Sequence, residues 1–201
     1  MEKNIDQLTD LLQRRLFVEL EASGRHVHVT KEQALCLFGH DLTPARPLSQ
    51  PGQYLAEERV EIRGPKGTMK NVAVLGPCRK EAQVELSATD AVALGAKAPV
   101  RLSGDVAGSA PMTLTGPMGT VELAQGAIIA QRHIHMTPED AKLQKIKDGD
   151  TVRLRTMTGR PLILEQVAVR VSPTFRTYAH LDYDEANACG FRKGDLGMIL
   201  P

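Results

Sequence analysis

The chain has 201 residues, with 25 Lys and Arg against 24 Asp and Glu, so its formal net charge is +1. With no basic stripe or charge block, that balance argues against a nucleic-acid or anionic-membrane partner, and 3% aromatic residues without Trp argue against a base-stacking platform or an aromatic-lined sugar groove. At 42% hydrophobic the chain can bury a core, and its length suits one large domain or two small ones.

From the N-terminus, Ile5, Leu8, Leu12 and Leu16, with Leu11, recur at spacings of three and four, which predicts an amphipathic helix over residues 2–16. Two uses of its apolar stripe are open: packing on its own domain, or docking on a partner as a detachable tag. Glu2, Asp6 and Asp10 do not make the basic-then-apolar order of a secretory signal, and no apolar run approaches the roughly 20 residues of a membrane span. Cys36, Cys78 and Cys189 are widely spaced and form no CxxC pair, so a reduced, intracellular protein without disulfides is expected. Cys78 and Cys189 read as small buried apolar residues.

After Phe17 the apolar stretches shorten and Gly and Pro become frequent. Val60–Ile62, Val72–Leu75, Thr120–Leu123, Thr151–Leu154 and Val167–Val171 read as short strands, a pattern that suggests a barrel or sandwich. An internal repeat stands out. Arg25-His-Val-His-Val-Thr-Lys-Glu-Gln-Ala34 matches Arg132-His-Ile-His-Met-Thr-Pro-Glu-Asp-Ala141 at six of ten positions, and Gln83-Val-Glu-Leu-Ser-Ala-Thr-Asp-Ala91 is a weaker third copy. Each copy is a strand, then Ser or Thr with Gln or Asp three residues later, the signature of a helix N-cap. Gly64-Pro-Lys-Gly-Thr68 and Gly116-Pro-Met-Gly-Thr120 form a second echo, so duplication of one small barrel is the simplest account.

Residues two apart on a strand share a face, so His26 with His28 and His133 with His135 each present a chelating pair of imidazoles. The weaker copy places Glu85 at the position of His28 and His135. A catalytic zinc takes three protein ligands and keeps one position open, which groups His26, His28 and Glu85. His133 and His135 need a third ligand from His180 or His40, and His180, at the end of a predicted strand, is preferred. Asp182, Asp184 and Glu185 either orient imidazoles or form a solvated turn. Arg79 and Lys66 are candidates to bind an anion beside the metal, whereas Arg25 and Arg132 point to the opposite face and brace the barrels.

These motifs, with Leu48-Ser-Gln-Pro-Gly-Gln-Tyr54, Gly76-Pro-Cys-Arg79, Arg101-Leu-Ser-Gly-Asp105 and His180-Leu-Asp-Tyr-Asp-Glu-Ala-Asn-Ala188, resemble the PduL-type phosphate acyltransferases, or phosphate propanoyltransferases, over about residues 17–190. The resemblance implies a mainly β fold of two small β-barrels capped by short α-helices. One barrel is discontinuous, from 17–24 and 131–201, and the other spans 25–130. It implies reversible transfer of a short acyl group, propanoyl or acetyl, between coenzyme A and inorganic phosphate at a two-zinc site. His26, His28 and Glu85 would hold one zinc, and His133, His135 and His180 the other. Arg79 would bind phosphate as the catalytic residue, and Ala22, Ser23, Gly24, Lys66 and Asn187 would contact coenzyme A. The family commonly shows a basic residue in the strand after Gly-Pro-Lys-Gly, where this chain has Ala73, and often Asn where it has Gly24. Residues 1–16 look like the extension that targets family members to a bacterial microcompartment lumen, and self-association is another use of that helix. The competing readings are a two-zinc thioester hydrolase, which needs no phosphate anchor, and a non-enzymatic zinc-stabilised microcompartment module.

Overall fold

The computed structural model describes the backbone of residues 2–200 and the side chains of residues 5–200. Met1 and Pro201, the outer ends of the expected 1–16 extension and 131–201 segment, lie outside the described residues. The chain runs α1 (Glu2–Leu16), β1 (Val18–Ser23), β2 (His26–His28), α2 (Lys31–Phe38), β3 (Pro44–Pro47), β4 (Tyr54–Arg63) and β5 (Thr68–Gly76). It continues through β6 (Gln83–Leu86), α3 (Ala88–Leu94), β7 (Val100–Arg101), β8 (Ala110–Thr115) and β9 (Thr120–Ala130). Last come β10 (His133–Met136), α4 (Pro138–Gln144), β11 (Thr151–Met157), β12 (Ile163–Val171), β13 (Tyr178–Asp182), α5 (Tyr183–Cys189) and β14 (Leu196–Leu200). All five predicted strands and the N-terminal helix are present. Among the described residues no helix is long and apolar enough to cross a membrane.

The chain divides into two compact units, one from the residues up to Ser23 together with those from Arg132 onward, the other Gly24–Gln131. In the first unit β1, β13, β10, β12, β11 and β14 close into a six-stranded barrel. In the second, β4, β5, β2, β6, β9 and β8 pair in a ring in the same order of parallel and antiparallel neighbours. Closure leaves these strands no free edge. By this correspondence β1 in the first barrel occupies the place that β9 occupies in the second. Each of these strands leads directly into the histidine strand of the other unit, so the duplicated halves have exchanged one strand. The barrels have separate apolar interiors, one around Leu20, Ile134, Leu154 and Leu181, the other around Val27, Ile62, Val84 and Leu114.

Among the described residues the strand-cap-helix repeat occurs four times. Thr30, Ser87 and Asp182 close capping boxes with Gln33, Asp90 and Glu185. The fourth, Thr137, accepts from Asp140 N, but Asp140 does not return the bond: its carboxylate is taken by Arg14 and by the Thr177 hydroxyl. The copy at Asp182 escapes the Ser/Thr pattern because aspartate does the capping. Arg25 reaches Asp90 at 2.6 Å and Arg132 reaches Glu185 at 2.6 Å, so both arginines brace the third residue of a cap within their own unit.

The Gly-Pro-x-Gly echo has a packing cause. Both copies are tips of hairpins, β4–β5 and β8–β9, seated on helix C-termini: Lys66 N–H donates to Leu94 O, and Met118 N–H to Leu37 O. A Cβ on Gly64 would lie 2.4 Å from Leu94 O, and one on Gly116 2.4 Å from Leu37 O. Gly64→Ala therefore forces two backbones apart and is expected to cost about 1–3 kcal/mol. A thermal melt checks this, with a drop of several degrees expected.

Helix α1 turns its apolar residues outward, with Ile5 58% and Leu8 57% exposed. It is held instead through its polar side. Arg14 makes two contacts to Asp140, at 2.7 and 2.6 Å, and the Gln144 amide donates to Arg14 O. The stripe thus does not serve as the packing surface on its own unit.

Candidate functional site

Barrel alternation determines which way the histidines face. Val27 and Ile134 enter the two cores, so His26, His28, His133 and His135 stand on the outer faces of β2 and β10. They are nevertheless buried. Each pair acquires a third donor across an antiparallel register: His26 faces Glu85 on β6, and His133 faces His180 on β13. The ligand atoms of His26, His28 and Glu85 lie within 4.8 Å of one another, and so do those of His133, His135 and His180. Glu85 and His180 are barrel counterparts. All four of His28, Glu85, His135 and His180 sit two residues before a helix cap, which brings each onto the face where its strand turns into the cap.

In the second unit the imidazoles are aimed by backbone carbonyls. His26 Nδ1 lies 2.9 Å from Gly24 O and His28 Nδ1 3.2 Å from Leu75 O. A carbonyl only accepts, so Nδ1 carries the proton and the Nε2 lone pairs remain for a ligand. His26 Nε2 is 3.4 Å from Glu85 Oε1. Two donors about 2.05 Å from a tetrahedral zinc are about 3.3 Å apart, so this spacing fits one shared ion. Glu85 Oε1 also accepts from Ser103 Oγ at 2.8 Å and Gln83 Nε2 at 2.5 Å. Burial opposes charge on Glu85, but His26 and His28 outweigh it, and the carboxyl is held below the usual carboxylate range. Burial likewise opposes charge on His26 and is overcome by Glu85, which raises it, while burial, with His26 and Arg79 close by, pushes His28 well down. His28 is thereby kept neutral, the form that binds a metal.

In the first unit His135 Nδ1 and His180 Nε2 are 3.2 Å apart, again the separation of two ligands on one ion. His133 and His180 stack with ring centres 4.9 Å apart. Two chelating sets of N and O donors on one duplicated barrel, with three protein donors each, match the open-site form of zinc.

A family model described as phosphate propanoyltransferase matches residues 19–192. The chain belongs to the phosphate propanoyltransferase family. It is 54% identical to the phosphate propanoyltransferase of Listeria monocytogenes over 185 residues, 91% of this chain and 87% of that protein. It is 49% identical to that of Clostridioides difficile over 198 residues, 98% of this chain and 95% of the relative. With that of Thermotoga maritima the identity is 46% over 199 residues, again 98% and 95%. The chain is accordingly a transferase with β-barrel architecture.

The other residues singled out in the sequence take different places. Arg79 donates from Nη1 to Ser103 Oγ at 3.0 Å, so one hydroxyl joins it to Glu85. With His28, Gln53 and Pro77, Arg79 also lines an open cleft of about 340 Å³. Lys66 stands exposed at the β4–β5 tip, and Ala73, the register partner of His26, is five strand residues beyond Thr68, roughly 16 Å along β5. Lys66 is therefore not beside the second unit's cluster of His26, His28 and Glu85. Gly24 contributes the carbonyl that aims His26. In the first unit Ala22 and Ser23 end β1 opposite Leu181 and Asp182, and Asn187 is exposed on α5. His40 is exposed, with Nδ1 2.8 Å from Asp41 O, and joins neither set. Cys189 is in the first core and Cys78 packs partly buried on the second, and burial pushes both thiols up.

Of the carboxylates offered as imidazole partners, Asp182 caps α5 and Glu185 binds Arg132. In the first unit a different carboxylate meets an imidazole: Glu21 Oε2 is 3.2 Å from His180 Nδ1. Sequence reasoning passes over it because only the β1–β13 pairing brings the two together. It also assigns no role to Ser103 and Gln83, although Ser103 lies inside the Arg101–Asp105 motif.

Proposed function

We propose that the chain transfers a short acyl group, propanoyl or acetyl, reversibly between coenzyme A and inorganic phosphate, with one zinc ion at each unit's donor set. A phosphate oxygen attacks the thioester carbonyl carbon, the C–S bond breaks, and the thiolate leaves with the electron pair, giving acyl phosphate and coenzyme A. Zinc supplies Lewis acidity toward the carbonyl or the departing sulfur. The observation that carries the reading is Arg79, which sits one hydroxyl away from Glu85 and in the same cleft as His28. A guanidinium fork matches phosphate, and holding phosphate there makes the attack a positioned, nearly unimolecular step. No protein nucleophile is needed. Contacts to coenzyme A are assigned to Ala22, Ser23 and Asn187 in the first unit and to Gly24 and Lys66 in the second.

Release of coenzyme A from propanoyl-coenzyme A, with and without phosphate and with zinc counted on the same sample, tests the reading. Phosphate-dependent release with about two zinc ions per chain is expected. Phosphate-independent release would make the protein a thioester hydrolase, and zinc without turnover would make it a metal-stapled module.

The outward stripe of α1 supports its use as a separable segment that addresses the protein to a microcompartment lumen. Amphipathic helices dock by laying such a face into an apolar groove. Deleting residues 1–16 is expected to leave acyl transfer within about twofold and to abolish co-purification with shells. Loss of soluble, active protein on deletion would assign the helix to packing instead.

A further inference from the structure

We infer that Glu21 is the positioning residue of the first unit's metal centre, accepting the Nδ1–H of His180 and so fixing Nε2 toward the ion. The inference rests on the metal reading above and extends it to a residue outside the two ligand sets. Three observations carry it.

The first is direction. His180 Nδ1 is 3.2 Å from Glu21 Oε2, while its Nε2 lies 3.2 Å from His135 Nδ1. The carboxylate therefore takes one ring nitrogen and the ligand cluster takes the other. A ligand histidine held in this way has a defined tautomer and greater basicity.

The second is the internal duplication. On β1, Glu21 is the register partner of His180, and on β9 the residue in register with Glu85 is Ile128. These positions correspond in the two barrels. Where the ligand is an imidazole the neighbouring strand offers a carboxylate, and where the ligand is itself a carboxylate the same place is a buried isoleucine. The two barrels thus each keep one acidic side chain at the centre, as ligand in one and behind the ligand in the other.

The third is charge. His26, His28 and Glu85 set one negative charge against a divalent ion, but three neutral imidazoles set none. Glu21 supplies it through His180. In the second unit His26 and His28 have backbone carbonyls on Nδ1, which orient a ring without adding a formal charge.

The test is a chelator competition on the full chain, wild type against Glu21→Gln, a change that keeps the size of the side chain and removes its charge. One of two zinc ions is expected to bind about 10- to 100-fold more weakly and the other as in the wild type. The same weakening should appear in a Glu85→Ala background, where the first unit's centre is the one left intact. Cobalt-loaded Glu21→Gln at saturation should keep the visible absorption of the wild type, because the ligands themselves are unchanged, and the metal-free variant should melt with the wild type. Two ions bound at wild-type affinity would overturn the inference alone. So would a lower melting temperature of the metal-free variant with both sites weakened together, the mark of a structural role, or an altered cobalt spectrum, the mark of a direct ligand. A wild-type chain that binds no ion would overturn the metal reading and this inference with it.

Discussion

Arg79→Ala is expected to lower phosphate-dependent release of coenzyme A by about 10²- to 10³-fold, the cost of removing one preorganised donor from a reacting anion, with zinc content unchanged. Arg79 reaches Glu85 through the Ser103 hydroxyl. Without the guanidinium, Glu85 still accepts from Ser103 and Gln83, and the ligand set keeps its aim. Arg79→Lys keeps the charge but loses the planar fork, so it should recover only part of the loss. Initial rates against phosphate concentration, with metal analysis on the same preparations, check both variants. Equal loss of zinc and of phosphate use would overturn the assignment.

His28→Ala is expected to lower zinc from about two ions per chain to about one and to reduce acyl transfer by about 10²-fold or more, the several kcal/mol of a Lewis acid at the reacting group. His28 is almost wholly buried, aimed by Leu75 O, and held neutral by its surroundings. Removing it leaves the second unit's centre two protein donors, too few to hold an ion against water. The fold should survive, because the side chain leaves the outer face of β2 while Val27 keeps its place in the core. The metal-free variant should therefore melt like the metal-free wild type, and the stabilisation that added zinc confers should shrink. His40→Ala is the control. That imidazole is exposed and belongs to neither donor set, so zinc and rate should both stay at wild-type levels. Two ions retained in His28→Ala would overturn its role as a ligand.

The donor sets were legible in the sequence because their spacing is local. Residues two apart share a strand face whatever the strand pairs with, so each His-x-His pair announces a two-pronged donor before any register is known. The identical flanks, Arg before and Thr after, showed that the two pairs stand in equivalent settings. The caps were legible for the same reason, since a capping box spans only four residues. The copy at Asp182 is hidden because aspartate replaces Ser or Thr. Asp140 passed for an ordinary capping residue, and no local pattern shows that Arg14 and Thr177 claim its carboxylate.

What the sequence determined by itself was therefore the fold class, the paired imidazoles, the acidic third copy at Glu85 and the outline of an amphipathic first helix. Each depends on a period of two or about four residues, which local backbone geometry dictates. The tertiary structure alone decided which strand closes which barrel, and with it that β1 carries Glu21 to His180 across a separation of most of the chain. It also decided that Ser103 links Arg79 to Glu85, that Lys66 stands at a hairpin tip, and that α1 docks by Arg14 with its leucines turned outward. Barrel register depends on how all six strands close together, and no short window of sequence contains that information.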